Sequence, residues 1–153
     1  MNFSFHTRRP YILRLHPTFL IAALLIALFC NQARADELSI TLEGLQTAEG
    51  KLMVMVGDAA AFDGKGPAAV QIVLPPREGT VRLTTDALPA GDYAIRVMHD
   101  VNGNGELDSN MVGMPKEPWG ISNNARGNFG PPKFEDARFT LKERAEQTIR
   151  VEK

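Results

Sequence analysis

Tyr93-Ala94-Ile95-Arg96-Val97-Met98-His99-Asp100 is the stretch on which the fold turns. Successive side chains of an extended chain point to opposite sides, so Tyr93, Ile95, Val97 and His99 share one face while Ala94, Arg96, Met98 and Asp100 share the other. Leu88-Pro89-Ala90-Gly91-Asp92 just ahead of it reads as a tight turn. The same period of two extends outward in both directions. Upstream, Leu38, Ile40 and Leu42 alternate with Ser39, Thr41 and Glu43. Leu52, Val54 and Val56 follow the Glu49-Gly50 turn, with Met53 and Met55 on their other face. Val70, Ile72 and Leu74 make a third strand, which Pro75-Pro76 stops because proline lacks the N–H that a ladder needs. Val81 and Leu83 alternate with Arg82 and Thr84. Downstream, Ala137, Phe139 and Leu141 alternate with Arg138, Thr140 and Lys142, and Ile149 and Val151 with Thr148 and Arg150. No run shows helical spacing. Seven short strands predict an all-β fold, a single seven-strand antiparallel β-sandwich.

The chain has 153 residues, with 44% hydrophobic and 23% charged, the composition of an ordinary globular domain. Its first 35 residues differ in kind: they hold Arg8, Arg9, Arg14 and Arg34 and no acidic residue. A basic start, the apolar run from Phe19 to Phe29 and a small-residue Ala33-Arg34-Ala35 before Asp36 are the pattern of a secretory signal peptide. The apolar run is too short to span a hydrocarbon layer, which needs roughly 20 residues. Thr7-Arg8-Arg9 also resembles a twin-arginine signal, although the very hydrophobic run suits the general secretory route better. The expected arrangement is therefore residues 1–35 as signal peptide, cleavage after Ala35, and residues 36–153 as a β-sandwich in the periplasm or secreted. That unit carries 13 Lys+Arg against 18 Asp+Glu, a net charge of −5, which argues against nucleic acid as partner. The single cysteine, Cys30, lies before it, so it has no thiol for a disulfide, a Cys-ligated metal or a nucleophile.

Between the fifth and sixth predicted strands lie residues 101–135, rich in Gly, Asn and Pro and far beyond the usual ~12–15 of an unstructured connection. The segment begins at Asp100-Val101-Asn102-Gly103-Asn104-Gly105-Glu106-Leu107-Asp108, with side-chain oxygens at positions one, three and five, glycine at six and a carboxylate at nine. Those are the leading positions of an EF-hand-type calcium loop. Ca²⁺ takes six to eight hard oxygen ligands; Asp100, Asn102, Asn104 and Asp108 would supply side-chain oxygens and Glu106 a main-chain carbonyl. Position twelve is Met111, which cannot ligate Ca²⁺, so completion has to come from Asp108, Asn110, a distant carboxylate such as Glu117 or Asp136, or water. The expected site is weak, with Kd of about 10⁻⁴ to 10⁻³ M. Asn-Gly-Asn-Gly is equally good turn chemistry, because Asn and Gly tolerate positive φ. Both readings stay open at this point.

Further along, Trp119, Phe129 and Phe134 with Asn123, Asn124 and Arg126 are candidates for a recognition surface, and His99 at the end of the fifth strand is a further ligand-binding candidate. The alternative is a satellite core, in which Trp119, Phe129 and Phe134 pin the loop and Arg126 pairs with an acid such as Asp136 or Asp108. Catalysis finds little support. His99 is the only histidine after residue 35, which excludes multi-histidine zinc sites, and Ser109 and Ser122 sit in no Gly-x-Ser-x-Gly elbow. A hydrolase would have to use His99 with Asp100 or Asp108.

Leu-Pro-Ala-Gly-Asp-Tyr at 88–93, Asn-Gly-Asn-Gly-Glu-Leu-Asp at 102–108, Gly-Ile-Ser-Asn-Asn-Ala-Arg-Gly at 120–127 and Phe-Gly-Pro-Pro-Lys-Phe-Glu-Asp-Ala at 129–137 resemble the bacterial family catalogued as domain of unknown function 2141. The resemblance covers residues 38–151. It implies an exported β-sandwich of undetermined activity. The turn into the fifth strand is similar, more loosely, to transthyretin-like and carboxypeptidase-regulatory-like sandwiches, and the acidic loop resembles calcium loops of some cell-surface sandwich repeats. The expected function is a non-enzymatic binding or envelope-associated module, its partner a small molecule, glycan or envelope protein. A purely structural module without an ion is the remaining alternative.

Overall fold

The computed structural model of the protein describes residues 36–128 and 130–153; the signal-peptide reading of residues 1–35 and the candidate Phe129 lie outside the described residues. Alternating apolar side chains produce strands β1 (Asp36–Leu45), β2 (Lys51–Gly57), β3 (Val70–Leu74), β4 (Gly79–Leu88) and β5 (Gly91–Asp100). After the long segment come β6 (Trp119–Ile121), a 3₁₀ turn (Ser122–Asn124), β7 (Phe139–Leu141) and β8 (Arg144–Arg150). Two single-turn helices interrupt this order, α1 (Ala59–Phe62) and α2 (Phe134–Ala137). Asp58 caps α1 by accepting from the Ala61 N–H at 2.9 Å.

The strands form two sheets, one ordered β4-β1-β8 and the other β3-β2-β5-β6, with β7 on the same edge of β5 as β6. Leu38, Ile40 and Leu42 of the first sheet face Leu52, Val54, Val56, Ile95 and Val97 of the second, and all are buried in one core. This is the all-β sandwich that the alternation predicts, with two corrections to its details. The described residues hold eight strands, because Trp119–Ile121 pairs with Arg96, Val97 and Met98 of β5. Three residues with a glycine in the middle leave no alternation to read. The sandwich is also not wholly antiparallel: β8 runs parallel to β1, from Glu37 opposite Arg144 to Glu43 opposite Arg150. Parallel neighbours need a crossover. Here β7 serves as one, lying against β5 before the chain turns at Glu143, whose φ is 60°, into the other sheet.

Tyr93 anchors the turn that starts β5, its hydroxyl donating to the Pro89 carbonyl at 3.0 Å. Burial pushes the Tyr93 phenol above its ordinary pKa, with smaller contributions from the Asp58 and Asp36 charges. A second, smaller core lies on the outer face of the five-stranded sheet, where Phe62, Ala94, Ile121, Ala125 and Ala137 are buried under Trp119 and Phe134. The Phe62 and Phe134 rings meet edge to face at 5.9 Å between centroids. Both cores fall within the compact unit Arg34–Lys153, which therefore holds the apolar interior it needs to fold on its own.

Candidate functional site

Two neighbouring features lie at the end of the five-stranded sheet: the Asp/Asn/Gly loop after β5 and a groove on the sheet's outer face. In the loop, Asp100 is fully buried and its carboxylate gathers the backbone that follows it. Oδ1 accepts from the Gly103 N–H at 2.7 Å and the Asn104 N–H at 3.1 Å, and Oδ2 from the Gly105 N–H at 2.8 Å. Asn102 Oδ1 takes the Asn104 N–H at 3.0 Å, and Asn104 Oδ1 takes the Glu106 N–H at 2.8 Å. Gly105, at position six, has φ of 86°, the left-handed conformation that the sharp turn requires and that a Cβ would strain. Asp108 faces back across the loop, accepting from Asn102 Nδ2 at 2.6 Å and Asn104 Nδ2 at 3.4 Å.

Glu117 closes the loop from the far side. It is buried, Oε1 takes the Val101 N–H at 2.9 Å, and Oε2 takes the Asp108 N–H at 3.3 Å. Glu117 thus brings to the loop a buried carboxylate that position twelve, Met111, lacks. Spacing alone names it only as one of several distant acids, because the intervening 109–116 finger has no counterpart in the motif. The finger is held by Asn110, whose Oδ1 accepts from the Val112 and Met114 N–H groups at 3.0 Å each, and it exposes Met111, Val112 and Met114. Among the described residues, no three His, Cys, Asp or Glu side chains converge as a metal cage of those types alone. A cation here would also need the Asn102 and Asn104 oxygens, each with a second lone pair beyond its N–H bond, and the Glu106 carbonyl.

The other candidate residues separate by environment. His99 is fully buried, with Nε2 2.9 Å from the Glu49 carbonyl, so Nε2 carries the proton, and Nδ1 has no partner. The ring is a core group, out of reach of a substrate. Asn123 and Asn124 both have positive φ, 57° and 52°, and both hold neighbouring chain segments together. Asn123 Nδ2 donates to the Arg138 carbonyl at 2.9 Å; Asn124 donates to the Thr148 carbonyl at 3.2 Å and accepts from the Arg150 N–H at 2.8 Å. Asn124 thereby acts as a one-residue strand along β8. Ser122, fully buried, completes the joint by donating to the Ala137 carbonyl at 2.6 Å and accepting from the Ile95 N–H at 2.9 Å. Arg126 pairs with Glu152 at 2.7 Å rather than with Asp136 or Asp108, and its guanidinium stacks 4.4 Å from the Trp119 ring. Trp119 also exchanges two backbone hydrogen bonds with Glu152, at 3.0 and 3.1 Å, which ties the two sheets together at this edge. Gly120 between them lets β6 come close to β8, for a Cβ there would stand 2.6 Å from the Ile149 Cγ2 and 2.7 Å from the Arg150 carbonyl.

The groove was not legible from the residues in order. It encloses about 840 Å³, within the ~300–1,000 Å³ usual for a ligand pocket. Met53, Met55, Val73, Arg96, Met98 and Trp119 contribute to its floor, and Leu107, Ser109, Gly113 and Pro115 of the loop and finger wall one side. The chain is therefore built so that the Asp100 loop shapes one rim of the groove.

A family model described as "Uncharacterized protein conserved in bacteria (DUF2141)" matches residues 40–150. The chain belongs to this family. The match starts within β1 at Ile40 and runs to the end of β8, so the loop, the groove-lining residues and the Ser122 joint all lie inside the matched span. No curated protein and no solved structure matches. Among the described residues no helix is long and apolar enough to cross a membrane.

Proposed function

We propose that this DUF2141 protein is an exported, non-enzymatic binding module of the bacterial envelope, periplasmic or secreted, which holds its ligand in the outer-face groove. The groove itself is the observation that carries this reading: about 840 Å³ of largely apolar recess on a sheet face that a simple two-layer sandwich would give to solvent. The buried state of His99 and the engagement of both Ser122 oxygen functions by backbone groups support recognition rather than hydrolysis. The test is titration of residues 36–153 with Nile red, a neutral apolar dye that brightens in apolar surroundings. Saturable binding at one site per chain, abolished by Met98→Asp on the groove floor, is the expected result. A signal that never saturates, or that Met98→Asp leaves intact, would sink the reading.

A second reading concerns the ion. The alternate oxygens of Asp100, Asn102 and Asn104, with Asp108 opposite and Glu117 closing, support a weak Ca²⁺ site that organises the groove's wall. Binding to the folded state alone stabilises by RT ln(1 + [L]/Kd), so a Kd of roughly 10⁻⁴ M at about 5 mM free Ca²⁺ gives about 2.3 kcal/mol, several degrees in Tm. Asp108→Ala abolishes that shift in a melt against chelator. An equal Tm in chelator and Ca²⁺ reduces the loop to a turn held by its own hydrogen bonds.

A further inference from the structure

The groove floor combines a long apolar row with Arg96, a cation that pairs with no carboxylate among the described residues. The register sets the row. Met53 stands opposite Val73 on one side and Met98 on the other, and Met98 stands opposite Trp119, so the four form a line across β3, β2, β5 and β6. Four strands at the usual spacing make it about 14 Å long. In the adjacent line, Arg96 lies between Met55 and Ile121.

The Arg96 guanidinium rests 5.7 Å from the Phe62 ring centroid, and Nη1 donates to the Phe62 carbonyl at 3.2 Å. It takes part in none of the ion pairs among the described residues, which leaves most of its five N–H donors available. The other charged groups of the groove, Lys65 and Asp63, pair with each other at 2.9 Å. Arg96 thus gives the groove a net positive charge within a unit whose net charge is −5. Methionine is unbranched and polarizable, a lining that adapts to a flexible aliphatic chain. A cationic ligand would be repelled by Arg96. A neutral one would cover the guanidinium without giving it a partner, at a desolvation cost.

We propose that the groove binds a free amphipathic anion of the fatty-acid class, with its carboxylate on Arg96 and its aliphatic chain along Val73, Met53, Met98 and Trp119. This rests on the groove being the binding site, and the experiment separates the two claims. Nile red bound to residues 36–153 is displaced by dodecanoate, dodecanol or dodecyltrimethylammonium, the two ions below their micellar concentrations and the alcohol below its solubility limit. Dodecanoate is expected to act at about five-fold lower concentration than dodecanol, and the ammonium compound to be weakest. With each displacement read relative to the variant's own Nile red affinity, Arg96→Met erases the preference for dodecanoate over dodecanol, while Arg96→Lys retains part of it. Equal potency of acid and alcohol, or a preference that survives Arg96→Met, would overturn this proposal and leave the groove reading standing. Absence of saturable Nile red binding would overturn both. Co-sedimentation with phosphatidylglycerol vesicles that depends on Arg96 would transfer the cation to a membrane surface and overturn the free-ligand assignment.

Discussion

Ser122→Ala removes one hydroxyl and strands two backbone groups. The side chain is fully buried, and its oxygen both donates to the Ala137 carbonyl at 2.6 Å and accepts from the Ile95 N–H at 2.9 Å. Alanine fills almost the same space, so packing changes little. The cost comes from leaving a buried N–H and a buried C=O unpaired, about 1–3 kcal/mol each, hence about 2–6 kcal/mol in all. For a unit of this size, 1 kcal/mol is worth roughly 3–5 °C, and the melting temperature should fall by about 6–30 °C. Urea unfolding of residues 36–153 measures the free energy directly, with Ser109→Ala, an exposed serine, as a control expected within about 0.5 kcal/mol of the parent. Nile red affinity measured well below the transition should not change, because Ser122 joins β5 to α2 and does not line the groove. A loss below about 1 kcal/mol would refute the reasoning that this hydroxyl is the sole partner of both groups.

Gly120→Ala drives a methyl group against Ile149 and the Arg150 carbonyl and should cost about 1–3 kcal/mol, read by the same urea transition. Tyr93 is the only tyrosine after residue 35, so its ionisation can be followed by phenolate absorbance without interference. Its folded pKa is raised, so the stability it contributes is present below the unfolded value of about 10 and is lost as pH rises through the folded one; Tyr93→Phe should remove that alkaline loss and cost about 1 kcal/mol at neutral pH. Asp92 behaves in the opposite sense. The Thr140 hydroxyl and then the Arg138 guanidinium lower its pKa, so its contribution is present above the unfolded carboxylate value and is lost as pH falls through the folded one. A carboxyl NMR titration should find Asp92 below the ordinary aspartate range, and Thr140→Val should move it back upward.

The core was legible because its pattern is local. Leu38, Ile40, Leu42, Ile95 and Val97 are buried where the alternation puts them, and the same rule placed Arg96, Met98 and Asp100 on the opposite face of β5. The groove was not, because its floor is made by register between β3, β2, β5 and β6, which aligns residues far apart in the chain. The Asp100 turn was readable from spacing, which also allows Glu117 among several distant acids, yet only the three-dimensional path of the finger singles it out. Asn123 and Asn124 show how recognition chemistry and structural chemistry use the same side chains. An amide that could greet a ligand serves equally well to satisfy Thr148 and Arg150, and the sequence pattern is the same for both.

The parallel pairing of β1 with β8 bears on how the chain reaches its folded state. The Glu37–Arg144 ion pair at 3.0 Å joins residues 107 positions apart. The middle strand of its sheet, β1, pairs with β4 on one edge and with residues 144–150 on the other. Closing so large a loop is entropically late, and nonlocal strand pairing of this kind belongs to slow folders, on the order of milliseconds to seconds. A chain that emerges N-terminus first would therefore remain an open half-sandwich until residues 144–150 were available, so the pairing of that segment with β1, rather than hydrophobic collapse, would set the moment of completion.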